Sequence, residues 1–235
     1  MGTRLTHVSF DIETAGFETT DRVTVIGFTV PLGCRVFLNT TGRPVNDTEL
    51  ESTLGDRFET NLQLSTHDDE SALLSAVAGF VAETVAPREF LLVAYNGERF
   101  NGGFDLPFLR TRYAQQDLAW PFDGLPYADI LPLIQDRFNT TVAGDEQNDL
   151  VSAYDTLIGG DLGADDPFDE SSEAVTAFES GAFESLVAHN LADILRTNAL
   201  ASLAEQYCGT SEFNLKSLTP SVRDPNLSSP DTPGP

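Results

Sequence analysis

The sequence predicts an α/β domain in which a mixed central sheet is flanked by helices. Three short apolar runs rich in β-branched residues come first, and strand-like and helix-like segments then alternate along the chain. A length of 235 residues with 40% hydrophobic residues is enough for one sizeable domain. We expect this domain to occupy residues 1–218, followed by a disordered tail rich in proline and serine at 219–235.

The first three strands are predicted at residues 5–10, 22–30 and 34–39. The second and third are separated by Pro31-Leu32-Gly33, which is typical of a hairpin connection. These strands are therefore expected to be antiparallel neighbours. Residues 40–57 are polar and show no convincing period, so we expect a long surface loop there.

Helices and further strands are predicted in the rest of the chain. Residues 65–70 carry a helix-start signal with acids in the first turn, and the helix should end at Pro87. Residues 89–95 are almost entirely apolar, which is typical of a strand buried on both faces, and Asn96-Gly97 ends it. The remaining predictions are a helix at 106–116, a strand at 126–131 leading into a helical stretch to Phe138, a helix at 150–157, an acidic loop at 159–170, and two helices between 173 and 208 separated near Gly181.

The charge composition limits the classes of partner. The net charge is −24, so the chain lacks an overall basic surface for nucleic acid. Arginines supply the cations except for Lys216, and this acidic, lysine-poor composition is typical of a salt-rich, halophilic cytoplasm. The two cysteines have no metal-ligand spacing, and no apolar run approaches the length of a membrane span. We therefore expect a cytoplasmic protein with no membrane partner and no disulfide.

The pair of carboxylates at Asp11 and Glu13 is the first candidate site. Alternate residues of a strand point to the same face, so these two anions should lie side by side. Adjacent anions repel each other unless a cation lies between them, and a divalent metal ion is a common solution. The alternative is a strand that ends in a solvated acidic turn.

Two later carboxylates also interrupt apolar patterns. Asp105 follows a glycine-rich loop at the start of a predicted helix, and Asp193 lies within the helix at 186–203. On that helix a polar stripe adjoins an apolar one, and the alternative is again a solvated helix side. The polar stripe comprises Leu186, His189, Asn190, Asp193, Thr197 and Leu200, and the apolar stripe Val187, Leu191, Ile194 and Leu195.

Taken in order, three segments resemble the motifs of the DEDD superfamily of 3′–5′ exonucleases. The segments are FDIET at 10–14, Asn96-Gly97 followed by GFDLPFL at 103–109, and HNLAD at 189–193. The resemblance spans about residues 5–205 and implies an RNase H-like three-layer domain, similar to polymerase proofreading domains. It implies a two-metal-dependent enzyme that hydrolyses the terminal phosphodiester bonds of single-stranded DNA or RNA ends.

The resemblance also implies roles for the four acids. Asp11 would bridge two Mg²⁺ or Mn²⁺ ions about 3.5–4 Å apart. Glu13 and Asp193 would hold the ion that activates water, and Asp105 would support the other. The substrate-binding candidates are Thr14, Asn96, Phe104, Asn190 and Arg110.

A catalytic histidine is the least regular part of the resemblance. One branch of the family has a tyrosine four residues before the last aspartate, and another has a histidine five before it. Here His189 lies four before Asp193, in the tyrosine position. We expect His189 to act as the general base, and the alternative is that it orients Asn190 or a substrate phosphate.

Residues around the motifs suggest how substrate could bind. Phe100 and Phe104 could stack on bases, although both could equally be core residues. The arginines nearest the motifs are the candidate phosphate ligands: Arg99, Arg110, Arg112 and Arg196.

Two other function classes remain alternatives to an exonuclease. The first is a catalytically weak or inactive nucleic-acid-binding or scaffold module of the same fold. The second is an acidic Ca²⁺-binding or interaction protein, for which residues 160–170 lack EF-hand spacing. No second domain is evident, so a separate protein could supply targeting.

Overall fold

The computed structural model describes residues 6–99, 104–160, 162–168 and 172–221. The strands are β1 (His7–Thr14), β2 (Val23–Val30), β3 (Gly33–Asn39), β4 (Leu62–His67), β5 (Leu91–Ala94), β6 (Pro126–Asp129), β7 (Thr141–Val142), β8 (Asp145–Glu146) and β9 (Lys216–Ser217). The α-helices are α1 (Asp47–Arg57), α2 (Glu70–Phe80), α3 (Asp105–Gln115), α4 (Leu131–Arg137), α5 (Leu150–Leu157), α6 (Leu162–Asp165), α7 (Ser172–Ser180) and α8 (Phe183–Tyr207).

A mixed seven-stranded sheet is the centre of the fold, with the strand order β4-β3-β2-β1-β5-β6-β9. Strands β1, β2 and β3 pair antiparallel, as the sequence predicts. Strand β1 pairs in parallel with β5, and β5 with β6. The predicted α/β class with a mixed sheet is therefore confirmed.

The helix predictions for the later part of the chain are confirmed. Helices α3 and α5 match the segments predicted at 106–116 and 150–157. The predicted break also occurs, because Gly181 adopts a φ of 78° between α7 and α8. A residue with a side chain adopts this left-handed conformation only with strain, so glycine is suited to the turn.

The prediction of a surface loop at 40–57 is wrong, because α1 occupies its second half. Asn46 caps this helix, its side-chain oxygen accepting a hydrogen bond from the Glu49 amide at 3.3 Å. Leu50 and Leu54, one turn apart, supply the helix's buried side chains. Two apolar residues give too weak a period for detection in the sequence.

The predicted helix start at 65–70 is also placed too early. Residues up to His67 belong to β4, which pairs in parallel with β3. Helix α2 begins after Asp69, whose side chain accepts a hydrogen bond from the Ala72 amide at 2.8 Å. Helical structure then continues through a π-helical turn and a 3₁₀ turn to Arg88, so it ends one residue beyond Pro87.

Parts of two further predictions lie outside the described residues. The strand predicted at 5–10 begins at His7 among the described residues and extends to Thr14, and Leu5 lies outside them. Residues 222–235 of the predicted tail are likewise outside. Within the predicted loop at 159–170, the structure contains the short helix α6.

Helices cover both faces of the sheet. On one face, Val8, Phe10 and Ile12 of β1 pack with residues of α2 and α3. On the other, α8 shares one cluster with α1 and α7 and another with α4 and α5. The long helix α8 is consequently buried along most of its length, so the alternative of a solvated helix side is wrong.

Cys34 and Cys208 are both free thiols, as predicted, but the expectation that both are buried holds only for Cys34, because Cys208 is partly exposed. Among the described residues, none of the helices combines the length and the apolar character that crossing a bilayer requires.

A buried ion pair joins α2 to α3 beside the start of β2. The Arg112 guanidinium donates to Glu70 from Nε at 2.8 Å, and from Nη1 to the Thr19 carbonyl at 2.9 Å. Glu70 Oε1 also accepts a hydrogen bond from the Val23 amide at 2.8 Å. The guanidinium of Arg112, a candidate phosphate ligand in the sequence, is thus engaged within the fold.

We expect Arg112→Met to lower the free energy of unfolding by about 3–5 kcal/mol, because it leaves the Glu70 carboxylate buried without its cation. Arg110→Met is the matched control on the same helix, where the exposed guanidinium lies over the Trp120 ring. Urea unfolding followed by circular dichroism measures both. Small and equal losses of unfolding free energy in the two variants would contradict a stabilising role for the buried ion pair.

Candidate metal centre

The two carboxylates of β1 lie on the same face of the strand, as their alternation predicts, and this face meets α8. Asn190 on α8 donates a hydrogen bond from Nδ2 to Asp11 Oδ2 at 2.9 Å. His189 Nε2 lies 4.0 Å from Glu13 Oε1. Asp11 and Glu13 therefore belong to the interface between β1 and α8, and the alternative of a solvated acidic turn is wrong for this pair.

Asp105 and Asp193 complete a cluster of four carboxyl groups. Asp105 begins α3, and its residue is only 7% exposed. Burial raises the pKa of Asp11 well above its usual range, and the charges of Asp105, Glu13 and Asp193 raise it further. Burial also raises the pKa of Glu13 well above its usual range, and the charges of Asp193 and Asp105 raise it further. The four sequence-predicted acids thus interact electrostatically with one another.

Asp105 illustrates the electrostatic strain in this cluster. Burial, together with the charges of Asp129 and Asp193, raises its pKa from 3.8 to about 8. Burial also raises the pKa of Asp193, although His189 and Arg196 partly offset the effect. Carboxyl groups in this state are stabilised by a bound proton or by a nearby cation.

His189 is fixed by a carboxylate that the sequence analysis missed. Its Nδ1 lies 2.8 Å from Oδ1 of Asp166, which follows α6. Burial lowers the pKa of His189, but the Asp166 hydrogen bond and nearby carboxylates outweigh it, and the net shift is upward. No motif marks Asp166 in the sequence, since it lies in a segment predicted only as an acidic loop.

Arg196 holds two acids together beside this histidine. Its Nη1 donates to Asp166 Oδ2 at 2.6 Å and to Asp193 Oδ1 at 2.7 Å. Arg196 was another candidate phosphate ligand in the sequence, but its buried side chain is engaged by these two acids inside the protein. It supplies one positive charge to a region that contains several buried carboxylates.

One group of side chains has the geometry to hold a metal ion. Ligand atoms of Glu13, His189 and Asp193 all lie within 4.8 Å of one another. Two are carboxylate oxygens and one is an imidazole nitrogen, which are ordinary ligands of divalent cations. This group could therefore hold a metal ion.

A cavity of about 200 Å³ opens onto this group, lined by Asp11, Ile12, Glu13, Thr14, Phe17, Phe104, Val175, His189 and Asp193. Phe104, a predicted substrate-binding residue, is half-buried and packs edge-on against Phe17 with ring centroids 5.2 Å apart. Phe17 is 66% exposed and was missed in the sequence. An aromatic pair thus borders the acidic cavity.

Two other predicted substrate-binding residues lie close to the carboxylates. Thr14 lines the cavity, and its hydroxyl donates to the Gly16 carbonyl at 2.8 Å. Asn190 is fully buried and contacts Asp11. Its role in the structure is therefore to fix Asp11 in position.

The remaining predicted substrate-binding residues lie elsewhere. Asn96 borders a separate cleft, together with Arg99 and Lys216. Arg110 is exposed, with its guanidinium 5.5 Å from the Trp120 ring centroid. Phe100 lies outside the described residues.

Asp129 is a further carboxylate that sequence analysis did not single out. Its oxygens accept hydrogen bonds from the backbone amides of Asn96 at 2.8 Å and Glu98 at 3.2 Å. Between them, Gly97 lies so close to Asp105 that an added Cβ would be 2.7 Å from its Oδ2. Asp129 thus anchors the turn that covers the Asp105 carboxyl.

In comparisons with protein-family models and with curated proteins, no family model and no curated protein matches this chain.

Gly27 leaves room for the side chain that orients Asp11. It pairs with Asp11 across β1 and β2, and an added Cβ would lie 2.1 Å from Asn190 Oδ1. We expect Gly27→Ala to displace Asn190 and to lower the free energy of unfolding by about 1–3 kcal/mol. Calorimetric titration with Mn²⁺ should also show weaker binding.

Gly79→Ala in α2 is the control, because nothing lies within 4 Å of its added Cβ. That change should stabilise the helix by about 0.5–1 kcal/mol and leave Mn²⁺ binding unchanged. Equal changes in unfolding free energy and in Mn²⁺ affinity in the two variants would contradict the conclusion that Gly27 makes room for the Asn190 side chain.

The pKa of Asp105 predicts how metal-free stability depends on pH. Its folded pKa of about 8 exceeds the usual 3.8, so the folded state binds the proton more tightly. The stability of the metal-free protein should therefore fall as pH rises from about 4 to about 8. Asp105→Asn should reduce that fall by at least about 1.4 kcal/mol, the free energy of one pKa unit.

Urea midpoints measured in a chelator between pH 5 and pH 8.5 test this dependence. Asp136→Asn, at an exposed position on α4, is the control for the general effect of removing a negative charge. A steep fall that persists unchanged in Asp105→Asn would show that other groups cause it.

Proposed function

We propose that this chain is a divalent-metal-dependent 3′–5′ exonuclease with an RNase H-like fold, acting on single-stranded DNA or RNA ends. The observation that carries the proposal is the convergence of Asp11, Glu13, Asp105 and Asp193 on one buried cluster beside a cavity. These are the four acids to which the family resemblance assigns the chemistry. The mixed sheet with helices on both faces is compatible with the three-layer architecture of that family.

The four acids, two of which form a group with His189 that could hold a metal ion, would suit two divalent cations. The four acids supply oxygen ligands, and burial raises the pKa of each, so bound cations would relieve their mutual repulsion. When bound, a pair of Mg²⁺ or Mn²⁺ ions supplies an activated water and stabilises the charge on the leaving oxygen. By the family resemblance, Asp11 would contribute ligands to both ions, and the charges of Asp105 and Glu13 both raise its pKa.

The protein's own side chains would hold the reacting groups in place. Asn190 fixes Asp11, and Arg196 fixes Asp193 through a hydrogen bond of 2.7 Å. Such positioning matters because phosphoryl transfer is accelerated mainly by alignment and by neutralisation of charge.

Substrate binding would depend on stacking more than on surface charge. A net charge of −24 disfavours a long polyanion, and Arg112 and Arg196 are engaged with acids inside the fold. The exposed ring of Phe17 and the adjacent Phe104 offer a surface for a terminal base, where stacking contributes about 1–3 kcal/mol per base. A single-stranded end fits a narrow cavity of about 200 Å³ better than a duplex does.

The test is degradation of 5′-labelled single-stranded DNA and RNA oligonucleotides in molar KCl with Mn²⁺ or Mg²⁺. We expect shortening from the 3′ end by one nucleotide at a time. Asp11→Asn should reduce the rate at least about 10³-fold, because the proposed ligand shared by both ions is weakened.

Two controls identify the source of the activity. Asp136→Asn, on the surface of α4, should retain wild-type rates, and a terminal phosphorothioate linkage should slow the first cleavage. Undiminished activity in Asp11→Asn would assign the cleavage to a contaminant. Metal-dependent oligonucleotide binding without cleavage would instead support the inactive binding module.

A further inference from the structure

The orientation of the His189 ring leaves one nitrogen directed at the acid cluster. Nδ1 is engaged by Asp166, which is itself held by Arg196 and by the Phe168 amide at 3.2 Å. Because a carboxylate only accepts hydrogen bonds, Nδ1 carries the hydrogen in this contact. Nε2 is consequently the atom that can offer a lone pair to a ligand.

The distances around Nε2 are too long for ion-pair hydrogen bonds. Nε2 lies 3.7 Å from Asp193 Oδ2 and 4.0 Å from Glu13 Oε1, whereas a charge-assisted hydrogen bond is about 2.7–2.9 Å long. Both carboxylate oxygens therefore lie beyond the 3.5 Å limit of a hydrogen bond from Nε2. The His189 residue is 5% exposed, and it lines the cavity together with Glu13 and Asp193.

A single metal ion accounts for this spacing. An ion about 2.0–2.2 Å from each of two ligands holds them no more than about 4.4 Å apart. Ligand atoms of Glu13, His189 and Asp193 lie within 4.8 Å of one another, so shifts of a few tenths of an ångström would close the site. The hydrogen bond from Nδ1 to Asp166 reproduces the carboxylate–histidine–metal arrangement that orients histidine ligands in proteins.

We propose that His189 is a nitrogen ligand of the cation shared by Glu13 and Asp193, positioned by Asp166, and that this site therefore prefers first-row transition ions to Mg²⁺. Imidazole suits transition ions, whereas Mg²⁺ favours oxygen ligands and water. The inference rests on the proposed function, which supplies the second cation and the substrate. Coordination of a cation by the His189 nitrogen can nevertheless be measured without any cleavage. As a ligand, His189 would have no free Nε2 lone pair for use as a general base.

Pulsed electron paramagnetic resonance of the Mn²⁺-loaded protein tests the ligand directly. Nitrogen coordination produces electron spin-echo modulation from ¹⁴N, and ¹⁵N-histidine labelling should change its frequency. We expect this modulation in the wild-type protein and its loss in His189→Gln. His67→Gln, at a ring that contacts Ser65 away from the cavity, should retain it.

Calorimetric titrations give a second readout. His189→Gln and Asp166→Asn should each weaken Mn²⁺ binding about 10–100-fold and change Mg²⁺ binding less than about threefold. Bound Mn²⁺ without histidine modulation in the wild-type protein would overturn the inference, even if one variant failed to fold. Equal losses of Mn²⁺ and Mg²⁺ affinity in folded variants would overturn the preference.

The outcomes separate this inference from the proposed function. Histidine modulation in a protein that cleaves no oligonucleotide would leave the metal site established and the exonuclease proposal refuted. Cleavage of oligonucleotides by a protein that shows no histidine modulation would support the exonuclease proposal and refute His189 as a metal ligand.

Discussion

Mutual repulsion among buried carboxyl groups is the constraint around which the structure is organised. Asp11, Glu13, Asp105 and Asp193 come from two strand positions, a helix start and the middle of a long helix, and burial raises the pKa of each. A fold tolerates such a cluster only if protons or cations compensate it. The surrounding packing holds the acids together although they repel one another. Such an arrangement is expected of a site that binds cations.

The interface between β1 and α8 shows how the chain maintains this cluster. The strand and the helix meet through successive polar pairs, with Asn198 beside Ser9 at one end and Asn190 beside Asp11 nearer the cavity. Apolar clusters on the same face bury the helix around them. Arg196 supplies a fixed positive charge, but it is shared between Asp166 and Asp193 and leaves the β1 carboxylates uncompensated.

Most of the sheet could be predicted because its strands carry their own signals. The β-branched run of β2 and the apolar run of β5 identify buried strands without reference to the rest of the chain. Helix α1 could not be predicted in this way, because only its Leu50 and Leu54 are buried and polar residues form most of the rest of its surface. Strand β4 was missed because the helix-start signal at 65–70 overlaps its last three residues, whose pairing with β3 outweighs that signal.

The same distinction holds for the candidate site. Alternation along β1 predicted one face for Asp11 and Glu13, and one-turn spacing along α8 predicted one face for His189 and Asp193. That these two faces meet was implied by the family resemblance, and the structure brings them together. Asp166, Asp129 and Phe17 reach the site only through the path of loops, which local patterns do not encode. Asn96 was included because it belongs to the motif that resembles the family, and Arg110 because it lies near that motif in sequence. The turn at Asn96 instead directs that residue toward another cleft.

Anomalous diffraction from crystals soaked in Mn²⁺ is the most direct test of whether these carboxylates together hold divalent cations. We expect an anomalous peak within coordination distance of Asp11, Glu13 and Asp193, with a second peak toward Asp105 at higher Mn²⁺ concentration. Well-ordered crystals with no peak at the cluster, or with peaks only on the acidic outer surface, would contradict it.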